Sequence, residues 1–135
     1  MSNGAKKIEF DGMESLVTAV IVCDKDLVVK YINPSTESLF EVSAKQAINN
    51  NINVFFEDTN NFFKNIIQKV DDQKNSYKEH EYFIQTHQKK TICVSLTVTA
   101  LINSKDEFVI EFIQMDQQLK VAREERMFIQ QQANT

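Results

Sequence analysis

The chain has 135 residues, of which 42% are hydrophobic and 25% are charged. This length suits one globular domain with its own hydrophobic core. The net charge of −4 disfavours nucleic acids and anionic membranes as main partners, because both attract clustered lysine and arginine. No apolar run approaches the roughly 20 residues of a membrane span, and the N-terminus lacks the apolar segment of a signal peptide. The composition therefore predicts a cytoplasmic protein that binds neither nucleic acid nor membrane.

The N-terminal residues fall into two parts. Residues 1–9 are polar, so we expect them to be disordered or a cloning remnant. The apolar side chains of Phe10, Met13, Leu16 and Val17 recur at helical spacing. This spacing predicts a short amphipathic helix before the first strand.

The next segment reads as strand, turn, strand and helix. Residues 19–23 form a short apolar run rich in β-branched side chains, and residues 24–26 supply the aspartates of a turn. Residues 27–32 predict a second strand. Asn33 is suited to cap the following helix, and Pro34, the only proline, suits its first position.

Short helices are predicted in the middle of the chain. The first covers residues 34–42, and Ser43 is a second N-cap that opens a helix to about residue 48. The three asparagines at 49–51 predict a turn, because asparagine tolerates a left-handed backbone better than most residues. Residues 52–56 predict a helical turn, and the apolar spacing within 60–70 predicts a longer helix.

Three strands are predicted after this helix, at residues 77–86, 91–101 and 107–115. The strand 91–101 alternates strictly between apolar and polar residues, so one of its faces lies on the core. Its predicted core residues are Ile92, Val94, Leu96, Val98 and Ala100. The pattern as a whole predicts an α+β fold in which a five-stranded antiparallel sheet carries short helices on one side.

The stretch D-K-D-L-V-V-K-Y-I-N-P at 24–34, followed by a short amphipathic helix, resembles the opening of a PAS domain. The order of predicted elements is also that of the PAS fold. The resemblance implies a PAS domain over residues 10–115, flanked by an N-terminal and a C-terminal helix. It further implies a sensory module rather than an enzyme.

The C-terminal residues 116–135 have no glycine or proline and are rich in helix-forming residues. Their apolar positions alternate in steps of four and three, as in a coiled-coil seam that one arginine interrupts. The seam consists of Met115, Leu119, Ala122, Arg126, Ile129 and Ala133. A linker helix is one interpretation, and a single exposed helix is the alternative. Asp116 is placed to cap this helix at its positive end.

The two ends of the chain resemble the N-terminal sensor region of the nitrogen regulation sensor histidine kinases, NtrB or NR(II). Met115, Asp116, the preceding Glu111 and the glutamine-rich tail carry this resemblance. It implies a dimerising sensor of a two-component system, whose parent is a histidine protein kinase and hence a transferase. The PII signalling protein and a response regulator would be partners of that parent. The phosphoacceptor histidine motif and the ATP-binding domain would lie beyond Thr135, so the chain is expected to be part of a longer protein.

Nine residues are therefore candidates for dimerisation or signalling. They are Phe10, Met13, Leu16, Val17, Glu111, Asp116, Leu119, Ala122 and Ile129. Glu111 interrupts an apolar strand, and two interpretations stay open: a solvent-facing position on the sheet, or a contact in a dimer.

The sequence lacks the signals of cofactor chemistry. The predicted helix 60–70 has no histidine that would bind haem in a PAS domain, and the cysteine motif of photoactive flavin domains is missing. His80 and His87 are interpreted as solvent-facing, and Cys23 and Cys93 as buried and reduced. We therefore expect no metal, no cofactor and no catalytic constellation in this chain.

The core is the remaining candidate site. Its possible pocket residues are Phe55, Phe62, Phe63, Phe83, Val94, Leu96 and Phe112. These side chains could line a pocket for a small organic molecule or cofactor, which would make the domain a ligand sensor. They could equally fill the core, which we favour because bulky rings leave few voids.

Overall fold

A five-stranded antiparallel sheet forms the framework of the protein. The computed structural model describes residues 18–103 and 106–115. The strands are β1 (Thr18–Asp24), β2 (Val29–Ile32), β3 (Tyr77–Gln85), β4 (Thr91–Ala100) and β5 (Glu107–Gln114). Their order in space is β2-β1-β5-β4-β3, and each neighbouring pair is antiparallel. The first and last strands therefore lie side by side.

The helices lie between β2 and β3 in sequence. They are α1 (Pro34–Phe40), α2 (Ala44–Ala47) and α3 (Phe62–Gln73), with 3-10 turns at Ile52–Val54 and Thr59–Asn61. Their apolar side chains join those of the strands in one core cluster. The face of the sheet toward this core is called the inner face below, and the opposite face is the outer face.

The β1–β2 turn is built by Asp24. Its carboxylate oxygen accepts hydrogen bonds from the backbone N–H groups of Asp26, at 2.9 Å, and of Val28, at 3.0 Å. Leu27 adopts a left-handed backbone with φ of 65° while its side chain stays buried. Because Leu27 belongs to the turn, β2 begins at Val29, two residues later than predicted.

Left-handed residues also set the ends of the helices. Glu41, with φ of 57°, ends α1 at Phe40, two residues before the predicted end. Ser43 opens α2 with a capping box, as its sequence position predicted. Asn49 has φ of 70°, which agrees with the expected left-handed asparagine in this turn. Lys74, with φ of 57°, ends α3 three residues beyond the predicted helix.

The predicted fold class is confirmed. The sheet has five antiparallel strands, and on the inner face of β4 the side chains of Val94, Leu96 and Val98 are fully buried. The helices predicted before residue 18 and after residue 115 lie outside the described residues. The domain bounds 10–115 and the linker 116–135 therefore stay predictions.

Candidate functional site

The inner face carries a cluster of five buried phenylalanines, Phe40, Phe55, Phe56, Phe63 and Phe112. Each is at most 1% exposed. The ring centroid of Phe40 lies 5.3 Å from that of Phe55 and 5.6 Å from that of Phe112. The centroids of Phe56 and Phe63 are 5.1 Å apart. Tilted and edge-to-face rings at these separations stabilise a core beyond their burial alone. The rings occupy the space between helices and sheet.

Most predicted pocket residues do meet in this core. Phe55, Phe63 and Phe112 belong to the aromatic cluster, and Val94 and Leu96 are fully buried beneath it. The arrangement supports a filled core, because the rings contact one another instead of lining a space.

Phe83 does not join the core, and its inclusion among the pocket residues was wrong. It is 51% exposed and pairs with Cys93, whose side chain lies on the outer face of β4. The reason is a bulge in β3. Glu79 pairs with Leu96 and Tyr82 with Val94, so β3 uses one residue more than β4 over this step. A bulge reverses which residues face the core, and beyond it Tyr82 points inward and Phe83 outward.

Phe62 lies at the margin of the core among tyrosines. Its ring stacks on that of Tyr82 at 4.1 Å and meets that of Tyr77 edge-on at 6.4 Å. The Tyr77 hydroxyl donates a hydrogen bond to the Glu79 carboxylate, which raises the pKa of Tyr77 to about 12. Burial raises the pKa of Tyr82 as well, with the carboxylates of Asp58 and Glu79 adding to it. Both phenols stay protonated at neutral pH, so neither supplies a base.

Asn33 ties α1 to the start of β1, which goes beyond the predicted helix cap. Its Oδ1 accepts from the N–H of Thr36 at 3.0 Å, which is the cap, and from the N–H of Val20 at 3.0 Å. Its Nδ2 donates to the carbonyl of Thr18 at 2.9 Å. The hydroxyl of Thr36, fully buried, donates to the carbonyl of Val20 at 2.7 Å. β2 pairs with Ile21, Val22 and Cys23 of β1. The side chains of Asn33 and Thr36 bond the backbone of β1 just before these residues, at Thr18 and Val20.

Thr36 was not predicted from the sequence. A threonine three residues after an asparagine N-cap, facing the preceding strand, is the signal that was available. Pro34 occupies the first position of α1, as predicted.

The outer face of the sheet combines apolar side chains on β1 and β5 with polar ones on β4, where Thr97 lies opposite Glu111 and Thr99 opposite Val109. Val20 and Val22 of β1 and Val109 and Ile113 of β5 lie half-buried on it. Glu111 stands among them, with Val20 opposite on β1 and Thr97 opposite on β4. Within residues 18–103 and 106–115, Glu111 is half-buried and its side chain makes no hydrogen bond or ion pair. The structure thus places the Glu111 carboxylate between the apolar side chains of β1 and the polar side chains of β4.

The other dimerisation candidates are not part of the structural description. Phe10, Met13, Leu16 and Val17 precede the described residues. Asp116, Leu119, Ala122 and Ile129 follow them. The register fixes where these two segments join the sheet, because Thr18 at the start of β1 pairs with Ile113 near the end of β5. Both segments therefore leave from the same end of the sheet.

The cysteines and histidines occupy the environments that were predicted. Cys23 on the inner face and Cys93 on the outer face are buried thiols, and the Sγ of Cys93 lies 3.5 Å from the Sδ of Met115. Burial, with the Asp24 carboxylate second, raises the pKa of Cys23 to about 12, so its thiol is unreactive. His80 is exposed on β3, and His87 is exposed in the β3–β4 turn, where Nε2 contacts the carbonyl of Asn53.

The surface formed by the described residues includes two clefts. One, of about 330 Å³, is bordered by Asp26, Asn53, Glu57 and Lys64 among others. The second, of about 590 Å³, lies between the end of α3 and the β4–β5 turn. In the described part of the chain no group of three or more His, Cys, Asp or Glu could hold a metal ion. None of the helices found there is long and apolar enough to cross a membrane.

Comparison with known proteins identifies the family. The family model described as PAS fold matches residues 12–128, so the chain belongs to the PAS family. No curated protein sequence matches it.

Solved structures resemble this fold at low sequence identity. The PAS domain of nitrogen regulation protein NR(II) from Vibrio parahaemolyticus has 16% identity and a TM-score of 0.61, covering 73% of this chain and 89% of its own. A sensory box sensor histidine kinase from Vibrio cholerae has 15% identity and a TM-score of 0.66, covering 84% and 93%. A PAS domain from a two-component sensor histidine kinase has 19% identity and a TM-score of 0.56, covering 85% and 100%. At these identities the likeness concerns the fold.

Proposed function

We propose that this chain is the sensory and dimerisation PAS module of a two-component sensor histidine kinase of the nitrogen regulation type. The observation that carries the proposal is the pairing of Thr18 with Ile113. This pairing joins the segments before β1 and after β5 to adjacent strands at one end of the sheet. A change in the core would reach both segments through the same two strands.

The connection to the core supports a relay. Ile21 of β1 and Phe112 of β5 are fully buried on the inner face, and the neighbours of Phe112 include Phe40 of α1. Asn33 and Thr36 bind the start of β1 to the same helix. A shift of α1 would therefore displace the strand end that leads to the N-terminal segment. Packed cores pass such shifts on as discrete rearrangements.

The nitrogen regulation type rests on the resemblance of the chain ends, with the NR(II) domain among the structural neighbours. In this proposal the parent protein responds to the PII signalling protein and phosphorylates a response regulator in the cytoplasm. ATP is used by the kinase portion, and this chain is not itself catalytic. The homodimer forms through the N-terminal segment and the seam at Leu119, Ala122 and Ile129.

The sequence encoded after Thr135 tests the parent's class. We expect a phosphoacceptor histidine motif followed by an ATP-binding domain. The longer protein should then phosphorylate itself with labelled ATP, and a His→Gln change in the motif should abolish the label. A different effector domain, or a stop codon directly after Thr135, would contradict the kinase assignment.

The second candidate function is a ligand sensor. The buried aromatic cluster argues against it, because a ligand there would have to displace rings that already contact one another. Native mass spectrometry and an absorption spectrum of the purified chain test this directly. A colourless protein at its own mass supports the filled core, and a retained small molecule would support the sensor.

A further inference from the structure

The cleft of about 330 Å³ lies between the β1–β2 turn and the start of α3. Its volume falls within about 300–1,000 Å³, the usual range of small-molecule sites. Asp26 borders it from the turn, Glu57 from the segment between the two 3-10 turns, and Lys64 from the first turn of α3. This cleft is at the surface and is separate from the aromatic cluster in the core.

Three charged side chains at this cleft have no partner. Among the described residues, the carboxylates of Asp26 and Glu57 accept no hydrogen bond and join no ion pair, and the ammonium group of Lys64 has no partner either. Asp58 differs, because its carboxylate accepts from the backbone N–H groups of Phe63, at 2.9 Å, and Lys64, at 3.3 Å. Asp58 thus already serves the start of α3. Two negative charges and one positive charge are left for a ligand.

These charges select the chemistry of the ligand. A complementary molecule carries two cationic groups and one anionic group. A bare metal ion lacks the anionic group and would be repelled by Lys64. A basic α-amino acid has all three groups at neutral pH, namely its α-ammonium group, its side-chain cation and its α-carboxylate.

We propose that this cleft binds a basic α-amino acid, arginine or lysine, with its α-carboxylate on Lys64 and its two cationic groups on Asp26 and Glu57. The amides of Asn53 and Asn61 border the same cleft and make no side-chain hydrogen bond within the described residues. They supply further donors and acceptors to the charged ends of the ligand. The inference goes beyond the proposed function, because it gives the module an input at a site outside its core.

The cleft is connected to the core on both sides. Leu27 borders it, is 6% exposed and offers an apolar surface to the aliphatic part of the ligand. The carbonyl of Leu27 accepts from the N–H of Ile52 at 2.9 Å. On the other side, Phe63 follows Asp58 and Asn61 into the aromatic cluster, 5.1 Å from Phe56. A ligand that joins the turn to the start of α3 therefore stabilises two elements that flank the core.

Titration of the full 135-residue chain, followed by the backbone amide signals in NMR spectra, tests the site. The site variants are Asp26→Asn, Glu57→Gln and Lys64→Gln. The matched controls are Lys69→Gln and Asp72→Asn, which make the same charge changes on exposed positions of α3. Lys69 lies about 140° around the helix from Lys64. Circular dichroism melts check that each variant folds.

The probes separate the three charged contacts. Arginine and lysine carry all three groups, norleucine lacks the side-chain cation, and agmatine lacks the carboxylate of arginine. We expect arginine to shift the amide signals of residues 26–27, 53 and 57–64. Each site variant should weaken arginine at least about threefold, as expected for exposed ion pairs, and the controls should leave it unchanged. Norleucine and agmatine should bind the unmodified chain at least about threefold more weakly than arginine does.

Agmatine gives the sharpest comparison. Lys64→Gln should weaken arginine but not agmatine, because agmatine has no carboxylate for Lys64 to bind. Equal weakening of both would refute the proposed orientation.

Three further results would overturn the inference: no shift with millimolar arginine, shifts that map to another part of the chain, or a control variant that weakens binding as much as Lys64→Gln. Calcium that displaces arginine and binds more tightly would assign the cleft to a metal ion instead. None of these results depends on a kinase domain. A histidine motif after Thr135 in a chain that does not bind arginine would refute this inference and leave the assignment to a sensor kinase standing.

Discussion

Replacing Asn33 by alanine should destabilise the domain strongly. The change removes three side-chain hydrogen bonds, to the N–H groups of Val20 and Thr36 and to the carbonyl of Thr18. Loss of an N-cap costs about 1 kcal/mol. The bonds to β1 contribute roughly 1 kcal/mol each, and more where the remaining group is buried and unpaired. The free energy of unfolding should therefore fall by about 3 kcal/mol.

Urea unfolding followed by circular dichroism measures this loss. Asn33→Asp is the informative second variant, since aspartate caps a helix as well as asparagine does but cannot donate to Thr18. It should cost about 1 kcal/mol. Asn50→Ala is the matched control, because Asn50 is exposed and its amide makes one bond, to the carbonyl of Gln46. An N33A variant no less stable than N50A would refute the reasoning.

Three further predictions concern the core, a tyrosine and the tail. Phe56→Ala should lower the free energy of unfolding in urea by about 3–5 kcal/mol, because it leaves a cavity in the aromatic cluster. Phe83→Ala, at a half-exposed site, should lower it clearly less. Equal losses would contradict the assignment of Phe56 to the core and Phe83 to the outer face. The bond to Glu79 raises the pKa of Tyr77 in the folded state. The contribution of Tyr77 to the free energy of unfolding should therefore be fully present below pH 10 and decline as the pH rises toward 12. Urea unfolding across this range should show a smaller decline in Tyr77→Phe, and an equal decline would exclude Tyr77 as its cause. Leu119→Asp should weaken the dimer in sedimentation experiments without lowering the melting temperature, and an unchanged dimer would exclude the tail seam from the interface.

Local patterns predicted most of the fold. The strict alternation of 91–101 identified β4 and its core face, and the cap signals of Asn33 and Ser43 marked where α1 and α2 begin. These features depend on residues that are close together along the chain, so the sequence shows them directly.

Features that depend on distant partners were missed. The bulge that turns Phe83 outward arises where β3 pairs with β4. The residues of β3 alone do not predict it. The bonds from Asn33 to β1 join residues 13 and 15 positions apart. The unpaired state of Glu111 became evident only when its neighbours on β1 and β4 were known. Sequence alone therefore kept both interpretations of this residue open.

The pairing of Thr18 with Ile113 also determines how the domain responds to tension. A pull on the segments before β1 and after β5 acts on two antiparallel neighbours from one end. Their hydrogen bonds run perpendicular to the strands, so the load falls on the first bond, then on the next, as in opening a zipper. The rest of the sheet shares little of that load. Separation of these two strands would begin at Thr18. The hydrogen bond from the side-chain amide of Asn33 to the carbonyl of Thr18 would also resist this separation.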